Sequence, residues 1–176
     1  MTLYMFKIAG ILLITSAGGL IGFLESRKLI NRAKILNYFI LSLEIIECEI
    51  SQNSTPLPEI MKLLASRELG AVSMFYNNVY TSKQLSQGES FNKIWHKELT
   101  KSKTDLFLTN ESTTVLTELG TFLFCYDSAI TIKALNTSVF SLRALFEELK
   151  ETGKSKQRLF ITTGICFGAM ISIIIS

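Results

Sequence analysis

The chain has 176 residues, of which 48% are hydrophobic and only 19% charged, with a mean hydropathy of +0.33, a balance too apolar for an ordinary soluble domain of this length. Eighteen Lys and Arg against fifteen Asp and Glu give a net charge of +3, which excludes both the basic excess of a nucleic-acid-binding protein and an acidic solvating tail. Two prolines and twelve phenylalanines argue against disorder, and Cys48, Cys125 and Cys166 are spaced too widely for a zinc motif or a disulfide framework.

Residues 8–24, IAGILLITSAGGLIGFL, form a run of seventeen without a charge. As a helix rising 1.5 Å per residue, such a run nearly crosses a hydrocarbon core of ~30 Å, with Tyr4 and Lys7 able to reach back to the headgroups. A second uncharged run, residues 159–176, ends the sequence. Both are expected to be transmembrane helices. The competing reading of the first, a cleaved signal peptide, is opposed by its length, by the lack of a small-x-small cleavage site and by the four bases of ESRKLINRAK that follow it. Gly18 with Gly22, and Gly164 with Gly168, are small-xxx-small pairs that would let helix backbones approach closely in lipid.

All fifteen acids and seventeen of the eighteen bases lie in residues 25–158. Both edges of that segment are basic, with Arg27, Lys28, Arg32 and Lys34 at one and Lys150, Lys154, Lys156 and Arg158 at the other. The positive-inside rule therefore places it in the cytoplasm. The expected organisation is an N-terminal span over 1–24, a cytoplasmic domain over 25–158 and a C-terminal span over 159–176.

Within the domain, Leu29, Ala33, Leu36, Ile40, Leu43, Ile46 and Ile50 recur at steps of three and four, predicting a helix of about 28 residues from Glu25. It should end near residues 51–55, where SQNST and Pro56 supply breakers. Thr55 as N-cap, Pro56 at N1, Pro58 at N3 and Glu59 in the first turn then predict a short helix to about Arg67. After Gly70 the stripe Val72, Phe75, Tyr76, Val79 and Tyr80 predicts a third helix, closed by a turn at Gln87 and Gly88. Phe91, Ile94, Trp95 and Leu99 predict a fourth, beginning near Glu89. Val115, Leu116, Leu119 and Leu123 predict a fifth. The last shows Leu135, Val139, Leu142, Leu145, Phe146 and Leu149 opposite Arg143, Glu147, Glu148 and Lys150, and runs through Gly153 toward the second span. No segment alternates convincingly as a strand. The fold class is thus all-α, an antiparallel bundle of about six helices between two transmembrane helices.

Chemistry is sparse. The single histidine, His96, shares its helix with Lys93, Lys97 and Glu98 and is expected on the solvated edge; a membrane hydrolase using His96 with a carboxylate is the enzymatic alternative. No phosphate loop, histidine pair at metal spacing or nucleophile elbow occurs, so no cofactor, metal site or catalytic residue is expected. Glu44, Glu47 and Glu49 cluster near the end of the first helix, where its dipole gives them no support. A basic neighbour or solvent is the plain compensation; a patch for a partner protein is the functional one, and a cation held by the carboxylates is a third. Three Asn-x-Ser/Thr sequons, at Asn53, Asn110 and Asn136, are discounted for a cytoplasmic domain.

The order of features resembles the stage III sporulation protein AB family, two-span membrane proteins of endospore-forming bacteria. The resemblance is carried by IGFLESRK, by LEIIECEI, by Thr55-Pro56-Leu57-Pro58-Glu59, by Trp95 in FNKIW, and by Leu108-Thr109, Glu111, Leu119-Gly120, Leu123 and Asp127. Phe124 and Thr131 depart from it, standing where the family tends to have Gly and Gln. The family is in turn similar to cytoplasmic domains of the inner-membrane platform protein of type II secretion and type IV pilus systems. The resemblance implies a non-enzymatic platform in the complex joining mother cell to forespore, partnered with the hexameric sporulation ATPase and other membrane proteins of the complex; the lipid bilayer is expected as a partner from the two uncharged runs, nucleic acid is not expected from the charge balance, and a homo-oligomer is left open. A membrane-tethered adaptor or signalling bundle is the alternative.

Overall fold

The structure is a computed structural model. It describes residues 27–85, 88–123, 125 and 127–175, with side chains as far as residue 153. Those residues form six helices and no strand: α1 (27–48), α2 (Leu57–Ala65), α3 (Ala71–Leu85), α4 (Phe91–Ser102), α5 (Asn110–Leu123) and α6 (Ser128–Ile175). The chain divides into two compact units, one of Arg32–Glu148 and one of Met1–Asn31 with Leu149–Ser176.

The expected apolar stripes are the ones that face inward. Leu36, Ile40, Leu43 and Ile46 of α1, Val72, Phe75, Tyr76 and Val79 of α3, and Leu135, Val139 and Leu142 of α6 are all buried. At the centre Phe39, Phe75, Tyr76 and Trp95 form an aromatic cluster with no measurable exposure beyond 1%. Phe75 meets Trp95 edge to face at 5.0 Å between centroids and Phe39 at 5.8 Å, geometries that add to simple area burial. One polar group enters this cluster. Ser42 Oγ donates to the carbonyl of Phe39 at 2.7 Å and is itself 2.7 Å from the Tyr76 hydroxyl. With the serine proton spent on Phe39, the Tyr76 O–H is the donor of that pair, so a buried phenol is satisfied across α1 and α3. Burial pushes the Tyr76 hydroxyl far above its ordinary pKa, against the smaller opposing effect of Ser42.

Helix α1 ends through a π-helical turn, Glu49–Asn53, and a left-handed Ser54 at φ 50°. The start of α2 differs from the expectation by one residue. Pro56, not Thr55, occupies the N-cap position and Pro58 falls at N2. The reason is local: Glu49 takes the Thr55 hydroxyl, which donates to Oε2 at 2.7 Å, and also accepts from Asn53 Nδ2 at 3.0 Å. The missing side-chain cap costs little, because Pro58 has no N–H to satisfy and the Pro56 carbonyl accepts from Glu59 and Ile60 at 2.9 and 3.2 Å.

Those bonds hold the Glu49 carboxyl below its usual 4.5, Asn53 contributing most and Thr55 next. A depressed folded-state pKa stabilises the fold above the unfolded value, and that contribution is lost as pH falls through the folded one. Glu49→Gln is therefore expected to lower stability at pH 7, with the difference from the wild type shrinking as pH falls below 4.5, which flattens the acid limb of the stability-versus-pH curve. Urea titrations at pH 3, 4, 5 and 7 check this; unchanged acid dependence would contradict it.

Among the described residues no helix is long and apolar enough to cross a membrane. The first expected span, with Gly18 and Gly22, lies outside those residues. Of the second only the backbone is described: α6 continues unbroken to Ile175 past Gly164 and Gly168, with Gly153 producing no break.

Candidate functional site

Of the residues singled out in the sequence, Trp95 and Gly120 are brought into direct contact. Trp95 lies on the buried face of α4, and its indole Nε1–H donates to the carbonyl of Leu116 on α5 at 2.8 Å. Gly120 lies one turn further along α5. A Cβ built there would stand 2.3 Å from Trp95 Cδ1 and 2.7 Å from Nε1, distances no methyl group can occupy. The glycine is therefore a seat for the indole. Their joint presence fixes how closely α4 and α5 approach.

Asp127 begins α6. Its Oδ1 accepts from the Ala129 N–H at 2.9 Å and its carbonyl accepts from the Thr131 N–H at 3.1 Å, the bonds of an N-cap. Thr131 is buried, its hydroxyl 3.1 Å from both the Phe122 carbonyl at the end of α5 and the Asp127 carbonyl. So the position that departs from the family pattern ties the α5–α6 corner together. Phe124 lies outside the described residues. Asp127→Ala is expected to cost about 1 kcal/mol, the usual loss for an aspartate cap, and amide exchange should accelerate in the first turn of α6 before any other part of the bundle. Equal acceleration throughout would contradict a local cap.

The other end of α5 is capped similarly. Thr109 Oγ1 accepts from the Ser112 N–H at 3.3 Å, and the Thr109 carbonyl accepts from the Thr113 N–H at 3.0 Å. Glu111, exposed in the first turn, has its carboxyl held below the ordinary range by its own backbone N–H and then by Thr109.

Glu44, Glu47 and Glu49 each have a partner within the chain. Glu44 pairs with Arg143 and Glu47 accepts from Asn136 Nδ2 at 3.0 Å, both on α6; Glu49 is satisfied by Asn53 and Thr55. The anticipated basic neighbour is present for Glu44 alone, Glu47 and Glu49 being bonded by neutral side chains, and among the described residues no group of three or more His, Cys, Asp and Glu could hold a metal ion. Thr55 and Pro56 shape the α1–α2 corner. Pro58 and Glu59 line a shallow groove of about 500 Å³ with Lys62, Tyr80, Lys83 and Gln84.

His96 is half-buried, and its carbonyl accepts from Thr100 Oγ1 at 2.8 Å. Its neighbour Glu98 is not on a solvated edge: only 4% of it is exposed. Oε1 accepts from Ser82 Oγ on α3 at 3.0 Å, whereas Oε2 has no hydrogen bond and lies 3.9 Å from Lys101 Nζ. In the sequence this acid counted, with Lys93 and Lys97, as a mark of the solvated edge expected for His96. A signal was available, since Glu98 lies one turn from Ile94 and Trp95 on the apolar face of α4.

The family model for stage III sporulation protein AB matches residues 7–176. The chain belongs to that family. A solved structure of stage III sporulation protein AB is similar in fold, with a TM-score of 0.65 at 20% identity over 70% of this chain and 97% of that one. No curated protein matches. Family membership associates the chain with sporulation; the structural likeness speaks for the helical fold alone.

Proposed function

We propose that this protein is a non-enzymatic platform of the sporulation envelope complex between mother cell and forespore, held in the membrane by residues 1–24 and 159–176 with its six-helix domain on the cytoplasmic, mother-cell side. The carrying observation is the family match over nearly the whole chain, residues 7–176. The charge distribution supports the placement: two uncharged ends, and basic residues at both edges of the segment between them. The bundle fits the role because its singled-out residues build the scaffold itself. Trp95 and Gly120 lock α4 to α5, Asp127 and Thr131 lock α5 to α6, and Glu44 and Glu47 lock α1 to α6.

On this reading the working partner is the hexameric sporulation ATPase, with other membrane proteins of the complex around it. A rigid cytoplasmic bundle tied to the bilayer is positioned to receive docking or torque from such a motor. The domain's similarity to secretion and pilus platform proteins belongs to this proposal. The test is a deletion in the parent bacterium: development should halt after engulfment, and the tagged protein should co-purify with the ATPase from detergent extracts. Normal heat-resistant spores at wild-type frequency, with no second copy of the gene, would overturn the reading.

A further inference from the structure

The contacts of α1 with α6 create a two-helix face whose outer side has no cover among the described residues. Glu44 beside Arg143 and Glu47 beside Asn136 set α1 and α6 side by side and antiparallel. Midway between the registers of those two pairs, at 1.5 Å per residue, Leu41 falls level with Ala144 and about a turn from Phe140, and Lys34 falls about a turn from Glu148. These residues point away from the core, opposite Phe39 and Leu43 on α1 and Val139 and Leu142 on α6. Phe140 is 77% exposed and Leu41 43%, a large aromatic surface on a helix whose other face already fills the core.

The charges on this face are also unspent. Among the described residues the Lys34 ammonium faces only the Tyr38 ring, 5.6 Å from its centroid, and Glu148 has no basic partner. Each helix therefore carries an exposed apolar group and, toward the chain ends, exposed charge of one sign beside it, Lys34 on α1 and Glu148 on α6 with Glu151 one turn further on.

The geometry points to a second copy of this chain as the occupant of the face. A two-fold axis running parallel to the helices places α1 of one copy against α6 of the other at unchanged height. Leu41 then meets Ala144 and Phe140 of the second chain, and Lys34 meets Glu148, each contact occurring twice, as an isologous interface requires. Pairing α6 with α6 in parallel would set Glu148 against Glu148 and Lys133 against Lys133. The inverted pairing would send the chain ends of the two copies in opposite directions, which a shared membrane forbids. The two-fold α1–α6 pairing alone matches charge, apolar surface and orientation. This inference rests on the proposed membrane placement for the orientation of the two copies, while its test, copy number, does not depend on which complex the protein serves.

The experiment uses the full-length chain, purified in detergent or, if it needs none, in buffer, with mass read by light scattering and association by recovery of one tag through another. The wild type should be a dimer. Lys34→Glu and Glu148→Lys should each weaken self-association by about tenfold, since both copies of the pair become repulsive, and Phe140→Ser should do so by a similar factor through the lost apolar anchor. Helical circular dichroism should stay unchanged in all three. Co-produced, the Lys34→Glu and Glu148→Lys chains should recover each other, because one of the two pairs is native and the other is reversed. Rescue between separate chains distinguishes this contact from an ion pair within one chain. A monomeric wild type, charge variants that associate normally, or failure of the two variants to recover each other would each overturn the proposal.

Discussion

Gly120→Ala is expected to lower the stability of the bundle by about 3 kcal/mol, a fall in Tm of roughly 10 °C. Helix propensity alone predicts the opposite sign, since alanine is favoured over glycine by ~1 kcal/mol inside a helix. Packing decides. The new methyl would stand 2.3 Å from Trp95 Cδ1, and the indole has nowhere to go, being hydrogen-bonded to Leu116 and flanked by Phe75 and Tyr76. Either α4 and α5 separate or the tryptophan leaves its rotamer, and both routes forfeit contacts throughout the aromatic cluster. Trp95→Phe, with a smaller ring and no N–H, should also destabilise, but the two changes together should cost clearly less than their sum, because the smaller ring leaves room for the methyl. Urea denaturation of the wild type, the two single variants and the double variant measures this coupling. Strict additivity would show that the two residues do not share one site.

Ser82→Ala is expected to cost about 2 kcal/mol, more than an ordinary serine-to-alanine change, because it removes the hydroxyl that serves a buried carboxylate. Glu98 keeps one oxygen on Ser82 at 3.0 Å, while the other has only Lys101 at 3.9 Å, and that lysine is 73% exposed. An exposed ammonium at that distance compensates little of the cost of desolvating the acid. The sign of a second change tests the explanation. Glu98→Met should recover most of the lost stability in the Ser82→Ala background, since an apolar side chain of similar length no longer needs the hydroxyl. If the double variant were less stable than Ser82→Ala, the carboxylate would have to be satisfied in some other way.

Helix positions were legible because period and punctuation agree. The α1 stripe ends where SQNST and Pro56 begin, and the inward faces of α3 and α6 are the ones their apolar residues mark. What was not legible depends on contacts distant in sequence or on competition within a turn. Thr55 looked like a cap because its type and its place before Pro56 suit one; only the fold shows that Glu49 takes its hydroxyl. Trp95 and Gly120 were each noticed, but their separation of 25 residues gives no sign that one is the seat of the other. Lys93, Lys97 and Glu98 together suggested a solvated edge for His96, although the position of Glu98 one turn from Trp95 puts that acid inside. Helix α6 looked one-sided because its strong inward stripe hid the outward Phe140, and that residue proved the most exposed aromatic side chain of the described core unit.

The most direct test of the whole account is the sidedness of the bundle. Cys48 and Cys125 are both free and exposed, so they serve as native reporters once Cys166, in the expected second span, is replaced by serine. In intact bacterial cells carrying the full-length chain, a membrane-impermeant maleimide should leave Cys48 and Cys125 unmodified, modify a cysteine introduced by Thr2→Cys, and reach all three after lysis, with the protein in the membrane fraction. Modification of Cys48 and Cys125 in intact cells, or recovery of the chain in the aqueous fraction without detergent, would contradict a domain held on the cytoplasmic side by two spans.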